Sequence, residues 1–323
     1  MGSSVSNIWL QYFKMVIIAV LLLCSQNIWA SCLFYKDTTV INSNSAVLSH
    51  VETKTLDLEN YRKKGRFDLV LYPQFRFKNS RLDQMYLLQV NINPTLEIST
   101  WSGGLLTAQV ILPVFNEYSL EEGRVRPGFV TFSQYLDLGQ DLHLLATIGN
   151  FNNFRSGADI KAVKIIKDRA GVYAQAGVTA WTLALFEKLV VEDFDKTHWR
   201  AGGFYFYKPA RVLFNLNVAK YLGNDVALRG EITRYFSNSA VGFYIQTLNH
   251  DGYSFNGGFF FSIKIPSPNY KRNRKIIYPR PSDFFSIEYI ARPYPLRGRW
   301  FNTSPDESSS FNFFNRGVLN RNL

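Results

Sequence analysis

The chain has 323 residues, 46% of them hydrophobic and 19% charged, which excludes a disordered chain and allows one large β domain or two domains. Aromatic residues reach 16%, with 27 Phe and 18 Tyr, high for a soluble globule and in keeping with aromatic girdles at a membrane interface. The net charge of +11 bears on partners rather than fold, and points to acidic ones: nucleic acid, anionic lipid or an acidic polymer.

Lys14 precedes the apolar run "MVIIAVLLLC", and "SQNIWA" follows it. This is the order of a secretory signal peptide, and the run is too short for a spanning helix. Cleavage after Ala30 is expected, which makes residues 1–30 the signal peptide and 31–64 a short periplasmic lead. The alternative is lipoprotein processing at Cys32, which follows Ala30 and Ser31, although Trp29 stands where Leu is usual. Cys24 leaves with the signal, so no internal disulfide can form, and the mature chain has to be stable in an oxidising compartment without one. No later run approaches the ~20 apolar residues of a membrane helix.

From residue 65 to 266 the chain alternates almost without interruption, and alternation is the strand period. "RFDLVLYPQFRFK" sets Phe67, Leu69, Leu71, Phe75 and Phe77 against Asp68, Tyr72, Gln74, Arg76 and Lys78. "YLLQVNINPTLEIST" sets Leu88, Val90, Ile92, Leu96 and Ile98 against Gln89, Asn91, Asn93, Thr95 and Glu97. Pro94, on the apolar side, costs a ladder hydrogen bond or marks a bulge. Further runs follow as far as "TLALFEKLVV" (Thr182–Val191), with "NNFRSGADIKAVKIIKDRA" (Asn152–Ala170) read as the longest insert. "ARVLFNLNVAKYLGNDVALRGEITRYF" (Ala210–Phe236) sets Val212, Phe214, Leu216, Val218, Val226, Leu228 and Ile232 against Asn215, Asn217, Arg229, Glu231 and Thr233. The count comes to about twelve strands, of the ~9–11 residues that a tilted strand needs to cross a bilayer.

Alternation alone is shared by a secreted β-sandwich, whose apolar face lies inside. Charges of both signs at mid-strand, as at Arg229 and Glu231, suit a watery lumen instead. Tyr205, Tyr207, Tyr221, Tyr235 and Phe236 fall near strand ends, where interface girdles sit. A dozen long strands are also too many for a sandwich of ~100 residues. The expected fold is therefore all-β: a transmembrane antiparallel β-barrel of about 12 strands (10–14), with the short N-terminal lead and a basic C-terminal tail. Arg76, Gln89, Asn91, Asn215, Asn217, Arg229 and Glu231 are the candidate lumen residues, since all stand mid-strand on the polar side.

Catalytic signatures are absent: there is no G-x-S-x-G, H-E-x-x-H, C-x-x-C, G-x-G-x-x-G or P-loop. Among His50, His143, His198 and His250 no two stand at ligand spacing. His143 has Ser133 and Asp137 on the preceding strand, an arrangement that a Ser-His-Asp site would need, but a hydrogen-bonded histidine is the expected role. Glu121 and Glu122, beside Arg124 and Arg126, read as a solvated charged turn. No enzyme, cofactor or metal site is expected.

The segment "AGGFYFYKPARVLFNLNVAKYLGNDVALRGEITRYFSNSAVGFYIQTLNHDGYSFNGGFFFSIKIP" carries a turn at Lys220–Asp225, a second at Arg234–Asn238, Val241-Gly242 on the next strand and a hairpin at Ser254–Phe259. In these features it resembles the C-terminal barrel segment of the YjbH/GfcD group of exopolysaccharide and capsule proteins. Upstream, "ILPVFNEY" and "RPGFV" are loosely similar to the same group, and the resemblance covers about Leu106 to Pro266. It implies an outer-membrane barrel that assists polysaccharide export or assembly, alongside other export-machinery proteins. Its work would be done through a passive polar lumen whose many weak hydrogen bonds let a polymer bind yet leave. A small-solute porin, and a plugged structural or lipid-contacting barrel, are the alternatives.

The extension 267–323 mixes Arg272, Arg274, Arg292 and Arg297 with aromatic rings. Guanidinium groups suit carboxylate or phosphate, and ring faces suit sugar CH groups, so acidic polysaccharide or lipid headgroups are its expected contacts. An exported protein rarely meets nucleic acid, and none is expected as a partner.

Overall fold

The computed structural model describes residues 67–79, 86–166, 169–194, 196–249, 253–265, 279–290 and 297–307. The expected signal peptide and lead, Cys32, Arg272, Arg274 and Arg292 lie outside them. Regular structure among the described residues is all β, apart from one 3-10 turn at Lys208–Ala210. In chain order the strands are β1 (Phe67–Asn79), β2 (Tyr86–Ser99), β3 (Gly104–Asn116), β4 (Arg126–Asp137), β5 (Leu142–Phe151), β6 (Arg155–Ile166), β7 (Ala170–Ala184) and the short β8 (Leu189–Val191). After them come β9 (Lys196–Tyr207), β10 (Val212–Lys220), β11 (Val226–Tyr235), β12 (Ser239–Asn249), β13 (Tyr253–Lys264), β14 (Pro279–Pro281) and β15 (Phe284–Ile290).

Each long strand pairs antiparallel with its sequence neighbour, because connections this short allow nothing else. The ladder runs β14-β1-β2-β3-β4-β5-β6-β7-β9-β10-β11-β12-β13-β15, with β8 paired only to β7. β1 and β14 are parallel. The connections alternate between two ends of the ladder. At one end lie the brief turns 100–103, 138–141, 208–211 and 236–238. At the other lie the longer loop 117–125 and the stretch 185–194, which carries β8, together with the turns 152–154 and 221–225.

Burial follows the alternation in an inverted sense. Asn91 is 1% exposed and its neighbour Ile92 45%; Asn217 is 6% exposed and Leu216 57%. Gln89, Thr95, Glu97, Thr107, Thr131, Lys161, Gln175 and Glu231 all point to the buried side. Phe214, Leu228, Ile232, Phe243 and Ile245 stand outward. The buried face is not polar throughout. Toward the short-turn end, Leu105, Tyr135, Leu145, Val163 and Tyr173 form an apolar cluster with Phe204 against it.

Several expectations need correcting. Fifteen strands form among the described residues, fourteen of them in the ladder and β8 beside it, at the upper end of the expected 10–14; the ladder's hydrogen bonding, however, is not closed into a ring, and β14 and β15 are its two ends. β14 is three residues long and begins and ends in proline, which has no N–H to donate, so it cannot carry the pairing further. Even so, β14 and β15 are separated by two residues, and β1 lies against β15. The stretch 152–170, read as an insert, contains β6, fully paired with β5 and β7. Its Asp and Lys residues alternate with apolar ones, and mid-strand charges masked the period. The reading of 182–191 as one strand fails, because it breaks at residues 185–188 and only Leu189–Val191 resumes as β8. The sheet also does not stop at Pro266, since β14 and β15 come from the tail. Tyr221 is buried rather than a girdle residue; Tyr205, Tyr207 and Phe236 are exposed. Pro94 pairs with Leu71 on β1, while on the β3 side the pairing steps from Ile92 to Thr95 and leaves Pro94 unmatched.

Gly149 on β5 has φ +136°, a region closed to side chains, and a Cβ there would meet the Val130 carbonyl oxygen at 2.1 Å. Gly230 on β11 is open, with the nearest atom to such a Cβ at 3.8 Å. Gly149→Ala is expected to cost about 1–3 kcal/mol, and Gly230→Ala within about 0.5 kcal/mol, measured by urea unfolding of the refolded protein.

Candidate functional site

The buried face holds three polar groupings, each assembled across strands by register. On β10, β11 and β12 the rows Asn215–Glu231–Tyr244 and Asn217–Arg229–Gln246 lie side by side. Residues so placed share a face and touch. Arg229 Nε donates to Glu231 Oε1 at 2.5 Å, and Asn215 Nδ2 donates to Glu231 Oε2 at 2.9 Å. The Tyr173 hydroxyl donates to Asn215 Oδ1 at 2.8 Å. The Arg229 guanidinium lies 3.7 Å from the centre of the Tyr244 ring and reaches Glu288 of β15 at 3.4 Å. Nearby Tyr221, in the turn after β10, has its phenol pushed up to about 12, chiefly by burial.

The second grouping surrounds Arg76 and Gln89 on β1 and β2. Arg76 donates to Gln89 Oε1 at 3.3 Å and faces Glu122 at 3.6 Å. Gln89 donates in turn to Asn116 Oδ1 and to the Glu122 carbonyl, both at 3.1 Å. Asn91 donates to Gln74 Oε1 at 2.9 Å. A cavity of about 90 Å³ adjoins this group, lined by Gln74, Arg76, Gln109, Glu122, Arg126 and Phe154 among others. Glu122 is therefore not the solvated residue expected of a charged turn: its side chain is 13% exposed.

The third grouping lies on β6, β7 and β9 and escaped the sequence reading. Asp159 accepts from Gln175 Nε2 at 2.8 Å and from His198 Nε2 at 3.0 Å. Gly177 stands between Asp159 and His198 in the register, and a Cβ there would meet His198 Nε2 at 2.7 Å; its bare backbone is what lets the two side chains meet. Lys161, 0% exposed, donates to Thr303 Oγ1 at 2.9 Å and pairs with Glu307. The alternating Asp159 and Lys161 in "ADIKAV" were the signal, lost because that stretch was taken for an insert.

Thr303 and Glu307 belong to a strap, residues 297–307, that lies on the buried face at the long-loop end. Leu222 N–H donates to the Arg299 carbonyl at 3.2 Å, Gly298 N–H to Asp225 Oδ2 at 2.9 Å, and Asn153 Nδ2 to the Trp300 carbonyl at 2.7 Å. Asn302 N–H donates to Asn152 Oδ1 at 2.7 Å. Phe301 packs with Phe151 and Leu222, and Trp300 against Ala219, Tyr221 and Ala227. Arg297, expected in a headgroup-binding tail, is half-buried beside Gly223.

The structure thus brings Asn215, Asn217, Arg229 and Glu231 together and sets Arg76, Gln89 and Asn91 in a separate group. All seven side chains lie on the buried side, tied to protein partners rather than standing free. His143 Nδ1 bonds the Tyr135 hydroxyl at 2.8 Å and lies 3.7 Å from Asp137, while Ser133 bonds Thr147 at 3.0 Å. These three do not form a relay. Among the described residues no group of His, Cys, Asp or Glu is gathered to hold a metal. Comparison with protein-family models, with curated proteins and with solved structures finds no match.

Because Glu231 is 4% exposed, its removal takes from the buried Arg229 its nearest carboxylate and leaves only the longer contact to Glu288. Glu231→Ala is expected to lower stability by about 3 kcal/mol, and Arg229→Met with Glu231→Leu to recover most of that loss. Equilibrium denaturation of the three variants measures the difference. The two charges, expected to line a watery lumen, are instead paired with each other and with Asn215 and Glu288 on the enclosed face.

Proposed function

We propose that the chain is an outer-membrane β-barrel that assists export or assembly of an exopolysaccharide or capsule. The inverted burial carries the reading: a sheet with apolar side chains outward and polar ones enclosed fits lipid outside, where no water competes for the outer side chains. The seam between β14 and β15 would close the cylinder side to side, β1 lying against β15. Brief turns at one end and longer loops at the other are the asymmetry of outer-membrane barrels. The signal-like start and the resemblance to the YjbH/GfcD group support the compartment and the polymer. Lipid is then one partner, polysaccharide another, and other export-machinery proteins a third.

The filled buried face favours one competing reading, a sealed structural barrel. A small-solute porin fits less well, because strap and apolar cluster occupy the space that solute would need.

For architecture, folded protein in detergent is expected to run at a different gel mobility until boiled in SDS; a mature chain that stays soluble without detergent and shows no shift would overturn the barrel. Leu216→Arg is expected to cost about 2–4 kcal/mol if the site lies near the bilayer midplane, read by refolding into vesicles. For function, a deletion strain is expected to lose surface or released polysaccharide while small-solute entry is unchanged. Normal polysaccharide with a detergent-sensitive envelope would establish the sealed structural barrel instead.

A further inference from the structure

The strap 297–307 differs from the rest of the buried face in how it is held. Its hydrogen bonds to the sheet collect at one end, on the turns 152–154 and 221–225, and beyond them its deep contact is with Lys161. Lys161 is wholly buried on β6, and both hydrogen bonds recorded for its ammonium group go to the strap, to Thr303 and Glu307. Asp159, two residues away on the same face, is already engaged by His198 and Gln175. A buried lysine has to be paired; here the strap supplies the hydrogen-bonded partner, and Asp159 adds attraction from the sheet.

The fit is also incomplete. His198 Nδ1 and Trp300 Nε1 are buried and make no hydrogen bond among the described residues, although the His198 ring packs edge-on against Trp300 at 5.5 Å and Phe301 at 4.6 Å. Each is a polar group of the strap contact that a ligand could satisfy. The Arg200 guanidinium lies 5.0 Å from the centre of the Trp300 ring.

What the strap presents to this wall is a carboxylate and a hydroxyl on Lys161, with stacked ring faces beside them, Trp300 on Phe301 at 5.6 Å. A uronic acid residue has the first two of those features, one carboxylate among hydroxyls, and its CH face can take the place of the strap's rings against the His198 imidazole, which stays on the sheet. We propose that Lys161, with His198 and Arg200 beside it, forms an internal carboxylate site for an acidic saccharide, and that Glu307 of the strap fills it as a built-in competitor. The site is then open only in the fraction of molecules whose strap has withdrawn, and apparent affinity falls by that fraction. This rests on the polysaccharide reading above and narrows it to uronate-bearing polymers.

The test is calorimetric titration of the full chain in detergent micelles with a short oligogalacturonate, and with a neutral malto-oligosaccharide of equal length as the control. Glu307→Gln is expected to tighten oligogalacturonate binding about tenfold over the unmodified chain, the size of effect that losing one charge-assisted contact in the competitor gives. Lys161→Met is expected to abolish binding. A strap locked by Asn152→Cys with Asn302→Cys is expected to bind only after reduction, which tests the strap even if the charge variants fold poorly; heat-modified gel mobility checks folding in each. Unchanged affinity in Glu307→Gln together with equal binding by oxidised and reduced crosslinked protein would overturn the competitor. Equal binding of the neutral sugar would overturn the carboxylate site. If these results hold while a deletion strain keeps its polysaccharide, the export reading falls and the site stands; if the strain loses polysaccharide but no uronate binds, only the site falls.

Discussion

The Arg229–Glu231 contact states the constraint on which the rest of the structure depends: a charge enclosed by a sheet has to find its counter-charge within the sheet. Arg229 and Glu231 are two residues apart on β11 and point the same way because the strand period is two. Neither could be enclosed alone at tolerable cost. The register of β10, β11 and β12 then follows, since Asn215, Tyr244 and Gln246 have to stand opposite these two for the remaining hydrogen bonds to form. A shift by one residue would turn every polar side chain outward and every apolar one in.

The same logic recurs at Lys161 with a different solution. Its neighbours on the sheet are already committed, so its partner comes from residue 307, on a segment outside the regular strands. This long-range pairing is why the tail is part of the structure rather than a solvated extension. The apolar cluster around Leu145 and the strap around Phe301 bracket the polar middle, so the buried face is layered along the strands: apolar, polar, then strap.

The layering also bears on how a polymer would be handled. Many enclosed Asn, Gln and Thr side chains bond one another, as Gln89 does with Asn116 and Gln109 with Thr95, so recognition at those groups would depend on exchange, one partner leaving as another arrives. Groups whose partners lie within the same strand or hairpin, such as Glu231 with Arg229 and Asn215, are poor candidates for exchange. Groups whose partners lie on a separately anchored segment, such as Lys161, are better ones.

The all-β class, most of the strands from β1 to β13 and the two-faced character of β1, β2, β10 and β11 were legible in the sequence, because side-chain alternation is a local property read two residues at a time. So was the side of the strand on which Arg76, Gln89, Asn91, Asn215, Asn217, Arg229 and Glu231 stand, for the same reason. The strand β6 was hidden by its own charges, and the role of residues 279–290 and 297–307 was hidden because nothing local marks segments of proline, arginine and aromatic residues as returning to the sheet. Which charges neutralise which, where the ladder ends and what fills the enclosed face depend on contacts such as Lys161 with Glu307, far apart in the chain. Those only the tertiary structure decided, because the cost of burying a charge is settled by whatever the whole fold brings beside it.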